Sequence, residues 1–150
     1  SENIQNLVYT RMVLKETLRM RPPAWAISRQ AVQDCTLGDY HIPAGSTVIM
    51  SQWVTHHDSR FYEDAHQFNP DRWLALEKSN FPRYAFYPFG GGNRICVGEH
   101  FAMIEAAAVI SVVLRRWNLI PVQPGLVSPD PGITLRPKTN IKLKISQRLV

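Results

Sequence analysis

Cysteine is scarce in this chain: Cys35 and Cys96 are the only two in 150 residues, far apart in sequence and outside any C-x-x-C pair. Neither a disulfide framework nor a zinc site is indicated, although one of the two thiols can still be reactive. Long apolar runs are also missing. The longest, Phe101 to Leu114, carries Glu105 in its middle and falls short of the ~20 residues that a spanning helix needs, so no membrane span is expected. Charge of one sign does not dominate. Seventeen Lys and Arg against twelve Asp and Glu leave a net charge of +5, a mild excess whose basic residues are scattered. It would favour an acidic partner but not nucleic acid. No internal repeat is found. Low-complexity and disorder signatures are absent, since 45% of the residues are hydrophobic and 19% charged, the composition of a folded protein. The length suits one domain, able to bury roughly two thirds of its unfolded surface. The chain opens at Ser1 without a leader-like segment, and a fragment of a longer protein is expected.

From Ile4, apolar residues recur at Leu7, Val8, Leu14 and Leu18 with charges between them, which is helical spacing ended by Pro22-Pro23. Trp25 to Val32 and Thr47 to Ser51 read as short strands. Gly38-Asp39 and Pro43-Ala44-Gly45 between them are turn signals that fold the segment into hairpins. Thr55 to Tyr87 shows no sustained period and reads as a meander with short helical turns. Irregular stretches this long are uncommon unless functional, so a bound object is implied. A second long helix is predicted from about Glu99 to Trp117, with Ile104, Ala108, Ser111 or Val112, and Arg115 marking its turns. Ile141, Leu143 and Ile145 alternate with lysines, as in a half-buried strand.

The richest stretch is Phe89-Gly90-Gly91-Gly92-Asn93-Arg94-Ile95-Cys96-Val97-Gly98, followed by the predicted helix. A cysteine just before a helix faces unpaired N–H groups and the positive end of the dipole, both of which favour a thiolate, a ligand for soft metals. Glycines clear the approach, so a large flat ligand can lie close to the main chain. Arg94 offers a guanidinium fork to an anionic group such as a carboxylate. A phosphate loop is disfavoured, because no Lys-Ser/Thr follows and no G-x-G-x-x-G context precedes. An isolated cysteine is usually buried and inert; the surrounding ten residues argue otherwise here.

Those residues match F-G-x-G-x-R-x-C-x-G at every fixed position, and the stretch resembles the haem-thiolate loop of the cytochrome P450 family. The resemblance implies that Cys96 is the proximal ligand of haem b (iron protoporphyrin IX), that Arg94 pairs with a propionate, and that Phe89, Gly90 and Gly98 line the cofactor. Phe89 would pack near the sulfur; as a plain core aromatic it would look the same. A thiolate ligand pushes electron density onto iron and favours O–O cleavage.

Glu16 and Arg19 are three apart on one helix face and could pair. By themselves they read as a solvated surface pair. Their setting resembles the family's E-x-x-R helix, and Asn69-Pro70-Asp71-Arg72-Trp73 resembles its P-x-R-aromatic segment. The resemblance makes Glu16, Arg19 and Arg72 one buried structural triad, not a catalytic one. It further implies that Arg29 reaches a second propionate, the alternative being a surface arginine. Ala24, Trp25, Ala26 and Ile27 fall where the family chain passes over the distal haem face and are substrate-contact candidates; Trp25 reads equally as a core aromatic. The Pro129-to-Ile133 turn resembles a further substrate-contact loop. His56 fits a family position often filled by His, whereas His57 departs from the usual Arg or Lys. Adjacent histidines do not share a direction, so no metal pair is read there. Cys35 belongs to a hairpin or the surface. Arg115-Arg116, with Arg83 and Lys78, would help form a basic proximal face for an acidic electron donor, unless they are only solvated charges.

The resemblance covers the whole chain but only the C-terminal third or so of a family member. The fold expected is therefore mainly α with small β hairpins (α+β), residues 1–150 forming the C-terminal part of a single haem-thiolate monooxygenase domain whose N-terminal portion is missing. The family's distal helix, with the acid-alcohol pair that delivers protons to oxygen, has no counterpart. The parent would insert one oxygen atom into a small lipophilic substrate, with electrons from a ferredoxin or flavoprotein reductase. The fragment alone would be inactive. Localisation follows the source: cytoplasmic if bacterial, anchored through the missing N-terminus if eukaryotic. Alternatives are a non-catalytic haem-binding or sensor module, and a cysteine-redox or anion-binding domain without haem.

Overall fold

A computed structural model describes residues 6–123, 125 and 127–148. The first helix, α1, runs Val8–Met20. The expected start at Ile4 lies outside the described residues. The chain leaves the helix at Arg21, whose N–H still reaches the Thr17 carbonyl at 2.8 Å, and Pro22 and Pro23 prevent a further turn. The buried side chains of α1 are Met12, Leu14, Glu16, Arg19 and Met20. Of the apolar residues that mark the helical period Leu14 is buried and Val8 is 57% exposed, so the inward face combines apolar residues with the charged pair.

Four short strands follow: β1 (Ile27–Gln30), β2 (Cys35–Leu37), β3 (Tyr40–Ile42) and β4 (Thr47–Met50). β2 and β3 form a tight hairpin across Gly38-Asp39, and β1 pairs with β4 around it. The strand expected over Trp25 to Val32 is thus shorter, because only four of its residues find ladder partners in β4. Two five-residue helices, α2 (Gln52–His56) and α3 (Arg72–Leu76), and a 3₁₀ turn at Arg83–Ala85 punctuate the meander. Ser51 caps α2 by accepting from the Val54 N–H.

The long helix α4 spans Glu99–Arg116. Trp117 begins β5 (Trp117–Pro121), which pairs antiparallel with β8 (Leu143–Gln147), while β6 (Pro129–Pro131) pairs with β7 (Leu135–Pro137). The helix expected from about Glu99 to Trp117 is present and ends one residue earlier; of the residues that mark its turns, Ile104, Val112 and Arg115 are exposed, and Ala107 is the residue of α4 that is fully covered. α4 is apolar nearly all round, so periodicity cannot choose its face. The half-buried strand expected around Leu143 needs correction: β8 is exposed at all five positions, with β5 as its ladder partner among the described residues.

The core sits between α1 and the meander. Met12, Tyr62, Ala65 and Trp73 are buried together, with Phe61, Leu76, Phe81 and Phe86 packed against them. Trp73 and Phe86 rings lie 4.6 Å apart, and Tyr62 meets Phe81 edge-on at 5.5 Å. Each fully buried ring of this kind contributes roughly 1.5–3 kcal/mol. The core thereby ties an otherwise irregular chain to α1.

Candidate functional site

Glu16 and Arg19 are completely buried, and the Arg72 side chain is nearly so. Glu16 Oε1 accepts from Arg19 Nη2 at 2.8 Å, the Asn69 N–H at 2.9 Å and Arg72 Nε at 3.1 Å; Oε2 accepts from Arg19 Nε and Trp73 Nε1. Burial by itself raises the Glu16 pKa, but the hydrogen bonds from Arg19 and Asn69 and the charges of Arg19 and Arg72 outweigh it and hold the carboxyl below its ordinary value. The remaining donors of Arg19 go to the carbonyls of His56, Ala65 and Gln67. Arg72 reaches those of Glu63, Asp64 and Gln67. The cluster is a knot that fixes meander backbone.

His56 carries that constraint onward. Its imidazole is fully buried, and Nε2 accepts the Tyr87 N–H at 3.0 Å, so the ring proton sits on Nδ1. Burial, with the nearby Arg19 charge adding to it, pushes the pKa down to about 4. The Tyr87 carbonyl accepts from Gly90, and the Phe89 carbonyl accepts from Cys96 at 2.9 Å. A continuous set of hydrogen bonds therefore links Arg19 to the cysteine loop. The sequence offered His56 only as a family position; this linkage was not readable from it.

In the loop itself, Gly90 and Gly92 adopt φ of 78° and 66°, a left-handed conformation that side chains disfavour. Gly91 is extended, but a Cβ on it would lie 2.6 Å from Tyr84 Cε1. Gly98 is the N-cap of α4, and a Cβ there would be 3.7 Å from the Cys96 sulfur, an ordinary contact. Cys96 is exposed, as is Cys35 on β2.

Cys96 opens onto a cleft of about 460 Å³. Of the candidates from sequence, Arg29, Arg94, Phe89, Gly90, Ala24 and Ile27 share its wall. Trp25, Ala26 and Gly98 do not. Trp25 instead donates its indole N–H to the Gly132 carbonyl at 2.9 Å, and the Leu135 N–H reaches the Pro23 carbonyl, joining the two segments expected to contact substrate. The wall also includes Leu18, Pro23, Pro88 and Gln52, which sequence reasoning missed. The prolines and Leu18 flank recognised motifs, whereas Gln52 had no signal. His57 stacks on Trp53 and His66 at centroid distances of 4.4 and 5.4 Å. Arg83, Lys78, Arg115 and Arg116 are exposed.

An accessible thiol, a largely apolar wall and two guanidiniums together suit a flat apolar ligand with a soft metal at its centre and anionic groups at its edge. No described helix is long and apolar enough to cross a membrane.

Comparison with known proteins agrees with that chemistry. The sequence profile described as Cytochrome P450 matches residues 1–145. Cyclooctat-9-en-7-ol 5-monooxygenase of Streptomyces melanosporofaciens is 35% identical over 134 residues, covering 89% of this chain and 28% of that protein. Pentalenene oxygenase of Streptomyces avermitilis is 33% identical over 147 residues, covering 98% of this chain and 33% of its own length. A crystal structure of a cytochrome P450 (CYP102L1) superimposes with a TM-score of 0.88 at 29% identity, over 99% of this chain and 34% of that one. The chain thus spans about a third of the length of these relatives. With the profile matched almost end to end and the α+β architecture shared, the chain belongs to the cytochrome P450 family, the haem-thiolate monooxygenases.

Proposed function

We propose that residues 1–150 are the proximal, haem-holding C-terminal part of a cytochrome P450 domain, with Cys96 as the iron ligand. One observation carries the reading: the Cys96 thiol opens on an apolar cleft whose wall also bears Arg29 and Arg94. A bound haem supplies the oxygen-activating chemistry of the family. The chain's own residues do the rest. Cys96 presents sulfur at the start of α4, Arg29 and Arg94 pair with propionate carboxylates, and Phe89 and Gly90 line the approach. Ala24 and Ile27, with Trp25 pinned to Gly132 beside them, face the organic substrate, while Glu16, Arg19 and Arg72 hold the meander in place.

The whole protein then inserts one oxygen atom from O₂ into a lipophilic substrate, with electrons from a ferredoxin or flavoprotein reductase. The apolar wall supports a lipophilic substrate, and relatives named as an oxygenase and a monooxygenase support the reaction class. The test is the ferrous–CO spectrum of the full-length protein. Wild type should show the red-shifted Soret band of thiolate ligation and Cys96→Ala should lose it. A band that survives the substitution would refute the assignment.

A further inference from the structure

Gln52 stands at the first position of α2, one turn before His56, and its side chain is completely buried. Neither Oε1 nor Nε2 has a hydrogen-bond partner, although a carboxamide offers two donors and an acceptor with two lone pairs. Leaving such a group unpaired in a protein interior costs free energy that a leucine of similar volume would not. Gln52 is one of the residues that line the cleft, together with Cys96, Arg29 and Arg94. A residue whose amide has no partner in the protein therefore lines the space that a ligand would fill, and the two arginines that line it as well suit a ligand with negative charge.

We propose that the Gln52 carboxamide is a third polar anchor for the haem, donating from Nε2 to a propionate carboxylate beside the guanidiniums of Arg29 and Arg94. This rests on the haem-thiolate reading above. A carboxylate only accepts, so the amide must present its nitrogen, and hydrogen bonds to an ionised acceptor are the stronger kind. The cleft supplies what the buried amide lacks, and the cofactor gains an anchor that carries no charge. A glutamine that merely held a buried water would occupy the same place but would not restrain the haem.

The experiment uses the full-length protein, its Gln52→Leu and Gln52→Met variants, and three readouts: the ferrous–CO spectrum, the rate of haem transfer to excess apomyoglobin, and the melting temperature of the haem-free protein. Both variants should keep the thiolate Soret band and lose haem about tenfold faster, equivalent to ~1.4 kcal/mol. Their haem-free forms should melt at or above the wild-type temperature, because an orphaned amide has been removed. Haem loss within twofold of wild type, with the thiolate band intact, would overturn the anchor while leaving the haem assignment standing. Haem-free variants that melt well below wild type, or fail to fold, would show that the amide is structural and overturn it too. A wild-type spectrum without the thiolate band would remove the haem reading itself and this inference with it.

Discussion

All five N–H donors of Arg19 have acceptors: two oxygens of Glu16 and the carbonyls of His56, Ala65 and Gln67. Lysine has three donors on a point charge and cannot span that set. Arg19→Lys should therefore destabilise the full-length protein by about 3–5 kcal/mol, nearly as much as Arg19→Ala, because Glu16 would lose its bidentate partner and several buried carbonyls would be left without a donor. Chemical denaturation and haem content measure this; a lysine variant with wild-type values would show that charge alone suffices. The Glu16 and Arg19 spacing reveals a shared helix face and nothing of their burial. The acceptors that make the cluster interior are backbone carbonyls 37 to 48 positions away, and carbonyls leave no trace in residue identity.

His56 yields a pH prediction at the same scale. Its folded pKa of about 4 lies below the unfolded value of 6.5, so the folded state binds fewer protons between those limits. Stability that is full above about pH 6.5 falls as pH drops toward 4, by up to about 3 kcal/mol at 1.36 kcal/mol per unit. Protonation of Nε2 would set N–H against the Tyr87 N–H. Denaturation midpoints measured from pH 7.5 to 5 should decline in wild type and decline less in His56→Gln, whose Oε1 lies as many bonds from Cβ as Nε2 does and can accept from Tyr87 without titrating in this range. Parallel curves would contradict the role given to His56.

At the level of elements, the cysteine loop depends on backbone shape more than on side-chain volume. Gly90→Ala must hold an L side chain at φ 78°, at a cost of about 1–2 kcal/mol that no neighbour can relieve. Gly91→Ala meets the ring of Tyr84 first, and that ring is 55% exposed and free to swing out. The first substitution should lower stability and haem content; the second should be neutral once Tyr84→Ala accompanies it. Equal effects from both would contradict this division. The loop was legible in sequence because glycine, arginine and cysteine at fixed spacing are rare in combination. α4 and β8 were legible as elements but not in orientation. The apolar residues of α4 surround it, and the alternation in β8 marks faces that no described residue covers.

For the whole molecule, those uncovered surfaces matter. Phe101, Val109 and Val112 on α4 are 70%, 56% and 60% exposed, and exposed apolar patches of this sort favour association. Residues 1–150 produced alone should aggregate or bind haem loosely, and incubation with haem, reductant, oxygen and lipophilic substrates should give no coupled product above a free-haem control. Coupled turnover would show that the chain holds more of the catalytic machinery than its cleft indicates. The central claim is that the Cys96 sulfur is bound to iron. Iron-edge X-ray absorption of the purified full-length protein tests it most directly: one sulfur scatterer among nitrogens is predicted in wild type, replaced by a shell of nitrogen alone in Cys96→His. A wild-type shell without sulfur, or sulfur retained in the variant, would contradict the account.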